Sequence, residues 1–358
     1  MEIYYPNEYR SGASGCVRND TIYYFDNTSD NSNLFLLKDN SNVKMSGVNI
    51  SNGIKGGSSY SITVSEGSSL ELTHSVITKC SNAINAEQNT IVNISFCDFL
   101  RCQSDIYISG DLAISNSKFS YCYATDYKGI IYINGPKCKI ENNLFYKCYG
   151  DRDGLIYLKR TNAEINNNTF YYCDYGVSGF YTDALYSTGS NLYLNNNTFI
   201  STMPSHILSL YSEASKLYLV GNIFAMTGAN ERYPIICLRR SGESCDEYIM
   251  KSKYNIYLIN ENTSKTPHPD ACFATEDDYT LDVSLASSLF YGDWDKDGCF
   301  FYPVLTNEEG YRSTIALRVD TLPNGISIRF PLSETTVDTD QRGVSRDDMT
   351  CAGAYELP

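Results

Sequence analysis

Three observations predict an all-β chain wound as a right-handed parallel β-helix, a solenoid of about eight or more coils with an irregular C-terminal capping segment. First, a short phrase recurs eight times between residues 43 and 227: an apolar residue, then a second apolar residue five positions later. The second residues, Ile50, Ile77, Phe99, Phe119, Phe145, Phe170, Phe199 and Phe224, lie 27, 22, 20, 26, 25, 29 and 25 residues apart. Second, each period divides into short alternating strands and turn residues, with no helical pattern. Third, asparagine concentrates just before the Phe positions, where it suits tight corners by tolerating left-handed backbone.

The segment LIYLKRTNAEINNNTFYYC (155–173) shows the plan. Alternation puts Ile156 and Leu158 on one face of the first strand and Tyr157 on the other. KRTN is a turn, AEI a second strand, and NNNTFYYC holds the anchor Phe170. Right-handedness follows from the usual sense of parallel crossovers. Eight coils stacked at about 4.8 Å would make a rod of roughly 40 Å. One continuous domain is expected: an N-terminal cap and first coil (1–42), regular coils (43–230), then irregular final coils and cap (231–358).

Composition excludes several function classes. The chain has 358 residues and is 42% hydrophobic and 20% charged, which excludes a disordered or membrane-embedded protein. A net charge of −14 without a basic cluster disfavours nucleic acid and anionic membrane surfaces as partners. No apolar run reaches the roughly 20 residues of a membrane span, and MEIYYPNEYRSG lacks the features of a signal peptide. We read the sequence as a mature piece without membrane insertion.

Two further columns emerge from the repeat. Cys80, Cys102, Cys122, Cys148 and Cys173 each lie three residues after an anchor, which stacks them at about 4.8 Å with parallel Cβ vectors. A disulfide needs about 3.8 Å and crossed vectors, so these are expected to be inert buried thiols rather than bridges or metal ligands. Bridges are expected instead in the irregular end, Cys245 with Cys272 and Cys299 with Cys351. Tyr107 precedes its anchor by 12 residues, and Tyr132, Tyr157, Tyr186 and Tyr211 precede theirs by 13. They are expected to share one outward position on five consecutive coils. Such a strip is either a stabilising aromatic ladder or a contact surface for a glycan or protein.

No catalytic set is legible. His74, His206 and His268 are scattered, and no Ser/His/Asp or Cys/His arrangement is readable. GDRDG (150–154), with Lys159 and Arg160 nearby, is the best in-repeat candidate for acid–base work and is also an ordinary solvated turn. DWDKDG (293–298) matches the first half of a calcium loop, with Asp293, Asp295 and Asp297 as oxygen ligands for a structural Ca²⁺. Its twelfth position is Val304, so Glu308 or Glu309 would have to supply the bidentate ligand. No other cofactor is expected. Asn-x-Ser/Thr sequons at Asn19, Asn27, Asn49, Asn93, Asn167, Asn196 and Asn262 also match what solenoid corners use.

Some phrases resemble known families. GVNISNG (47–53) and IYINGPKCKIENNLFYKC (131–148) resemble coils of the right-handed parallel β-helix superfamily, the pectate-lyase-like fold, and repeats of polymorphic outer-membrane and adhesin-like proteins. The final TDQRGVSRDDMTCAGAYE (339–356) resembles the terminal signature of large bacterial surface proteins of the "choice-of-anchor Q" type. KYNIYLI (253–259) and LTNEEGYRSTIAL (305–317) are similar to segments of the same family, although its usual Asn-Gly-Gly is here Asn307, Glu308, Glu309, Gly310. The resemblance implies a secreted, cell-surface protein whose partner is a host or microbial surface glycan or protein. It also implies an end-capping role for the terminal segment. Two alternatives stay open: a carbohydrate-active enzyme of pectate-lyase-like fold, lyase or glycoside hydrolase, and a purely structural stalk. Polygalacturonase-type GHG and RIK phrases are absent.

Overall fold

The computed structural model describes residues 23–26, 34–51, 60–103, 106–124, 129–150, 154–175, 184–201, 207–211, 215–226, 236–238, 248–259, 271–272, 277–294, 301–303, 305, 314–315, 317–318 and 327–357. Three long sheets run side by side, of eleven, ten and nine strands, and in each the neighbouring strands come from successive periods of the sequence. Pairing along them is parallel except between Ile236–Leu238 and Ala271–Cys272. This is the expected solenoid.

On the Phe face, Ile50 pairs with Ile77, then Phe99, Phe119, Phe145, Phe170, Phe199 and Phe224 follow in one register. The register continues to Tyr23–Asp26 before it and to Tyr257 and Thr280 after it. Successive Phe rings stack at 4.6–5.1 Å and are fully buried. Each ring therefore fills the core and meets an identical shape above and below, so packing and offset stacking act together.

The other two faces alternate as the sequence predicts. On the Tyr face, Ile106 and Ile108 or Ile156 and Leu158 are buried while the residue between them faces out. On the third face, strands such as Asn162–Asn166 place Ala163 and Ile165 inside and Asn162 and Glu164 outside. The apolar inward residues of the three faces join one core.

Corners hold the faces apart. Between third and Phe faces the corner is two residues long, and its first residue has a positive φ throughout, as at Asn116, Asn142, Asn167, Asn196 and Gly221. Its second residue points inward: Ser117, Asn143, Asn168, Asn197, Asn222 and Asn255 are buried. Ser117, Asn143, Asn168 and Asn197 each donate a backbone N–H to the next coil's Asn Oδ1, at 2.9–3.0 Å. Asn222 and Asn255 continue the ladder to Asp278. The Asn Nδ2 groups donate both to that same oxygen and to a backbone carbonyl of the preceding coil. Every polar atom of this internal ladder thus has a partner where water is excluded, which is what burying an amide requires.

Candidate functional site

The cysteine column lies as expected. Cys80, Cys102, Cys122, Cys148 and Cys173 are buried, and each Sγ lies 3.3–3.9 Å from a carbonyl oxygen of the preceding coil. Burial holds the Cys148 thiol well above its ordinary pKa, so it stays protonated and unreactive. Two thiols outside that column behave alike. Cys97 takes the inward corner position used elsewhere by Ser or Asn and is pushed up to about 12 by desolvation. Cys138 sits between Leu112 and Ala163 in register, and burial raises it too.

Four of the five expected tyrosines form the predicted column. Tyr107, Tyr132, Tyr157 and Tyr186 pair in register on consecutive Tyr-face strands. Tyr107 stacks flat on Tyr132 at 4.6 Å, and Tyr132–Tyr157 and Tyr157–Tyr186 meet edge to face at 4.9 and 5.0 Å. Tyr132 is only 9% exposed, whereas the other three are half-buried. Tyr211 does not belong to the column. Ser209 pairs with Tyr186, and Tyr211 follows the strand Leu208–Leu210, with its ring 6.4 Å from Tyr186 and 45% exposed. The chain takes five residues to pass from Leu210 to Lys216 but two from Thr188 to Asn191, so counting back from Phe224 misplaces the position.

A second aromatic cluster escaped the sequence reading. It occupies the corner between the Phe strands and the cysteines, where Lys79, Arg101, Tyr121, Lys147 and Tyr172 all have positive φ. The Lys147 ammonium lies 5.3–5.9 Å from the ring centres of Tyr121, Tyr146 and Tyr172. Its hydrogen-bonded neighbour Tyr146 raises its pKa, which favours the cation. Beside it, Gln103, Tyr123 and Tyr149 pair in a short additional ladder, and Tyr123 Oη donates to Gln103 Oε1 at 3.0 Å. The signal was present as Arg or Lys and Tyr preceding the cysteines, but the apolar count passed over it.

The terminal signature builds a clasp. Arg346 is fully buried: Nη1 donates to Glu356 Oε2 (2.9 Å), Thr350 Oγ1 and the Cys351 carbonyl, and Nη2 to Asn167 Oδ1 and the Gly353 carbonyl. Burial lowers the Arg346 pKa and the Glu356 carboxylate opposes that shift, so the guanidinium is held by a fully satisfied set of acceptors. Asp340 accepts the backbone N–H groups of Arg342, Val344 and Glu356, and pairs with the Arg342 guanidinium at 2.7 Å. Arg342 in turn covers the Tyr355 ring at 3.8 Å.

This clasp lies along the flank of the solenoid. It reaches four successive corners: Asn167 through Thr339 and Arg346, Asn196 through Cys351 and Thr335, Gly221 through Gly353, and Tyr254 through the stacked Phe330. Gly353 approaches so closely that a Cβ would lie 2.7 Å from Ile223 and Thr198, and its φ is +85°. Beneath the clasp, Ile200, Ala225, Leu258 and Leu281 from the outer side of the Phe face join Phe290, Ile315, Ile328 and Phe330 in a second core. In earlier coils the equivalent positions, Thr78 and Leu100, are not buried.

Cys351 is a free, buried thiol pushed up to about 12 by desolvation, so the expected bridge to Cys299 is not formed. Cys245 and Cys299 lie outside the described residues, as does the side chain of Cys272, whose backbone pairs with Ile236. Asp293 lies in the strand Gly292–Trp294, but its side chain, Asp295 and Asp297 are outside the described residues. So are Asp151, Asp153, Glu308 and Glu309. His74 is an exposed corner residue stacked on Phe96 at 5.0 Å.

Comparison with known proteins agrees with this geometry. No curated protein and no solved structure matches the chain. Residues 60–224 match the family described as the right handed beta helix region. The matched coils and the parallel ladders that extend them identify the chain as a right-handed parallel β-helix.

Proposed function

We propose that this β-helix is a non-enzymatic, adhesin-like binding module that acts outside the cell, presenting its Tyr face to a host or microbial surface glycan or protein. The supporting observation is the column Tyr107–Tyr132–Tyr157–Tyr186, whose rings follow one another at 4.6–5.0 Å on a rigid sheet. Tyr107, Tyr157 and Tyr186 are half-buried, so each ring is fixed by its neighbours while part of it meets solvent. Tyrosine so placed offers apolar area with little ordering entropy and a hydroxyl for hydrogen bonding. The likeness to surface β-helix repeats supports the same reading.

The test is binding of the intact protein to glycan and cell-surface protein panels, with Tyr157→Ala and Tyr186→Ala as variants. A saturable partner should bind about tenfold more weakly to either variant, since a rigid aromatic anchor contributes on the order of 1.4 kcal/mol or more. Tyr132 is a packing residue, so Tyr132→Ala should lower the melting temperature as well and is unsuited as a probe. Release of reducing or unsaturated sugar ends from polysaccharide would favour the enzyme reading. Absence of both ligand and turnover would leave the stalk.

A further inference from the structure

We propose that the corner column Lys79–Arg101–Tyr121–Lys147–Tyr172 is a second binding site, for a linear anionic polysaccharide laid along the solenoid axis. The site lies at a different point of the coil from the Tyr face and does not rest on the reading given for that face.

The first ground is conformational. All five residues have φ between 51° and 56°. Left-handed backbone is cheapest for Gly or Asn, and the corner before the Phe strands mostly uses those two residues. The corner after the Phe strands, on five consecutive coils, uses none. Lys, Arg or Tyr stands there each time at a conformational cost, and the Cys80–Cys173 column beneath needs only the turn, not the side chain. Strained backbone retained coil after coil marks a position where the side chain is used.

The second ground is charge. The chain as a whole has a net charge of −14, yet this corner aligns three cations over three coil steps, roughly 14 Å. Lys118, on the adjoining strand, adds a fourth beside Asp98, the acidic group that faces it. A basic stripe on an acidic surface is electrostatically selective: it attracts a polyanion locally while the rest of the molecule repels one.

The third ground is the interleaving. Tyr121 is 39% exposed, Lys79 and Arg101 are exposed, and Lys147 is held among the Tyr121, Tyr146 and Tyr172 rings. Lys and Arg provide charge-assisted hydrogen bonds to carboxylate or sulfate. Between them, Tyr rings provide flat apolar area for sugar faces. Spacing of one position per coil suits a regular chain with one acidic group every one or two residues.

The experiment measures binding of the intact protein to alginate (carboxylate only), heparin (sulfate-rich), neutral dextran and a single-stranded oligonucleotide, at low and high salt. Alginate, heparin or both should bind with salt-sensitive affinity, and dextran should not; the two polyanions separate carboxylate from sulfate as the preferred group. The double variant Arg101→Gln, Lys147→Gln should weaken the bound polyanion at least about tenfold. Tyr121→Asn should weaken it as well while leaving the melting temperature unchanged or higher, because Asn relieves the left-handed strain. A purely structural role for Tyr121 predicts the opposite change in melting temperature. No polyanion binding by the wild-type protein, equal binding of the oligonucleotide, or affinity unaltered in these variants would overturn the proposal. Loss of a Tyr-face ligand in the Tyr157 and Tyr186 variants, with polyanion binding retained, keeps the two sites distinct.

Discussion

Asn168 makes more buried hydrogen bonds than any single interaction in the apolar core around it could replace. Its side chain accepts from Asn143 and donates to the Ile140 and Asn166 carbonyls and to Asn197 Oδ1. Asn168→Ala would strand donors on Asn143 and acceptors on the coil before it, at about 1–3 kcal/mol for each buried group left unpaired. We expect a loss of roughly 3 kcal/mol in urea unfolding. Asn168→Ser should cost less, because Ser117 already fills this position one end of the ladder away and still accepts the Cys97 N–H. The thiols give a pH signature. Cys97 and Cys351 titrate near 12 in the fold against an ordinary value of 9.0. Between those values the unfolded chain has lost protons that the native chain keeps, so stability is complete below about pH 9 and falls as pH rises toward 12. Melting temperature should therefore decline over that window, and Cys97→Ser should flatten the decline.

At the scale of elements, the strands and their anchors were readable, while the corners were legible only in part. Alternation placed the inward residues of Ile106–Ile108 and Ile156–Lys159, and the period placed the Phe ladder and the thiol column. Asn143, Asn168 and Asn197 were visible as turn formers but not as buried ladder residues. The left-handed residue before each one rotates the next side chain inward and breaks the strand alternation on which such readings depend. Tyr211 was lost to a lengthened connection that sits between strand and anchor. The flank position of the clasp had a signal too: the residue after the anchor changes from Thr78 and Leu100 to Ile200, Ala225 and Leu258. That change has meaning only once those positions are known to lie on the outer side of the Phe face. Within the clasp, Arg346→Ala removes the closer partner of a buried ion pair and leaves Glu356 only the Arg329 guanidinium, at 3.4 Å, so we expect a loss of about 3 kcal/mol in denaturant unfolding. The double variant Arg346→Met, Glu356→Leu should lose less than the single one, since the only partner it strips is Arg329, which reaches solvent.

For the whole molecule, a solenoid is held by contacts between neighbouring coils, and its stability is close to a sum of nearest-neighbour terms. The clasp adds contacts of a different kind, joining Asn167, Asn196, Gly221 and Tyr254 to one segment, 139–179 residues away for the first two. Those coils should open together rather than one at a time. Hydrogen exchange should show a single cooperative unit from about residue 167 to 258, with the coils before it exchanging in graded steps. A chain ending at residue 327 should bind a hydrophobic dye, because the outer apolar strip from Ile200 to Leu281 then lacks Ile328 and Phe330.

The clasp follows in the chain every coil that it binds. On a ribosome, or on emergence from a narrow channel, the coils from Asn167 to Tyr254 are made first and wait with a bare apolar flank until Arg346 and Glu356 arrive. The order of synthesis thus sets the order of closure: residues 335–357 are made after the flank they cover and complete it last.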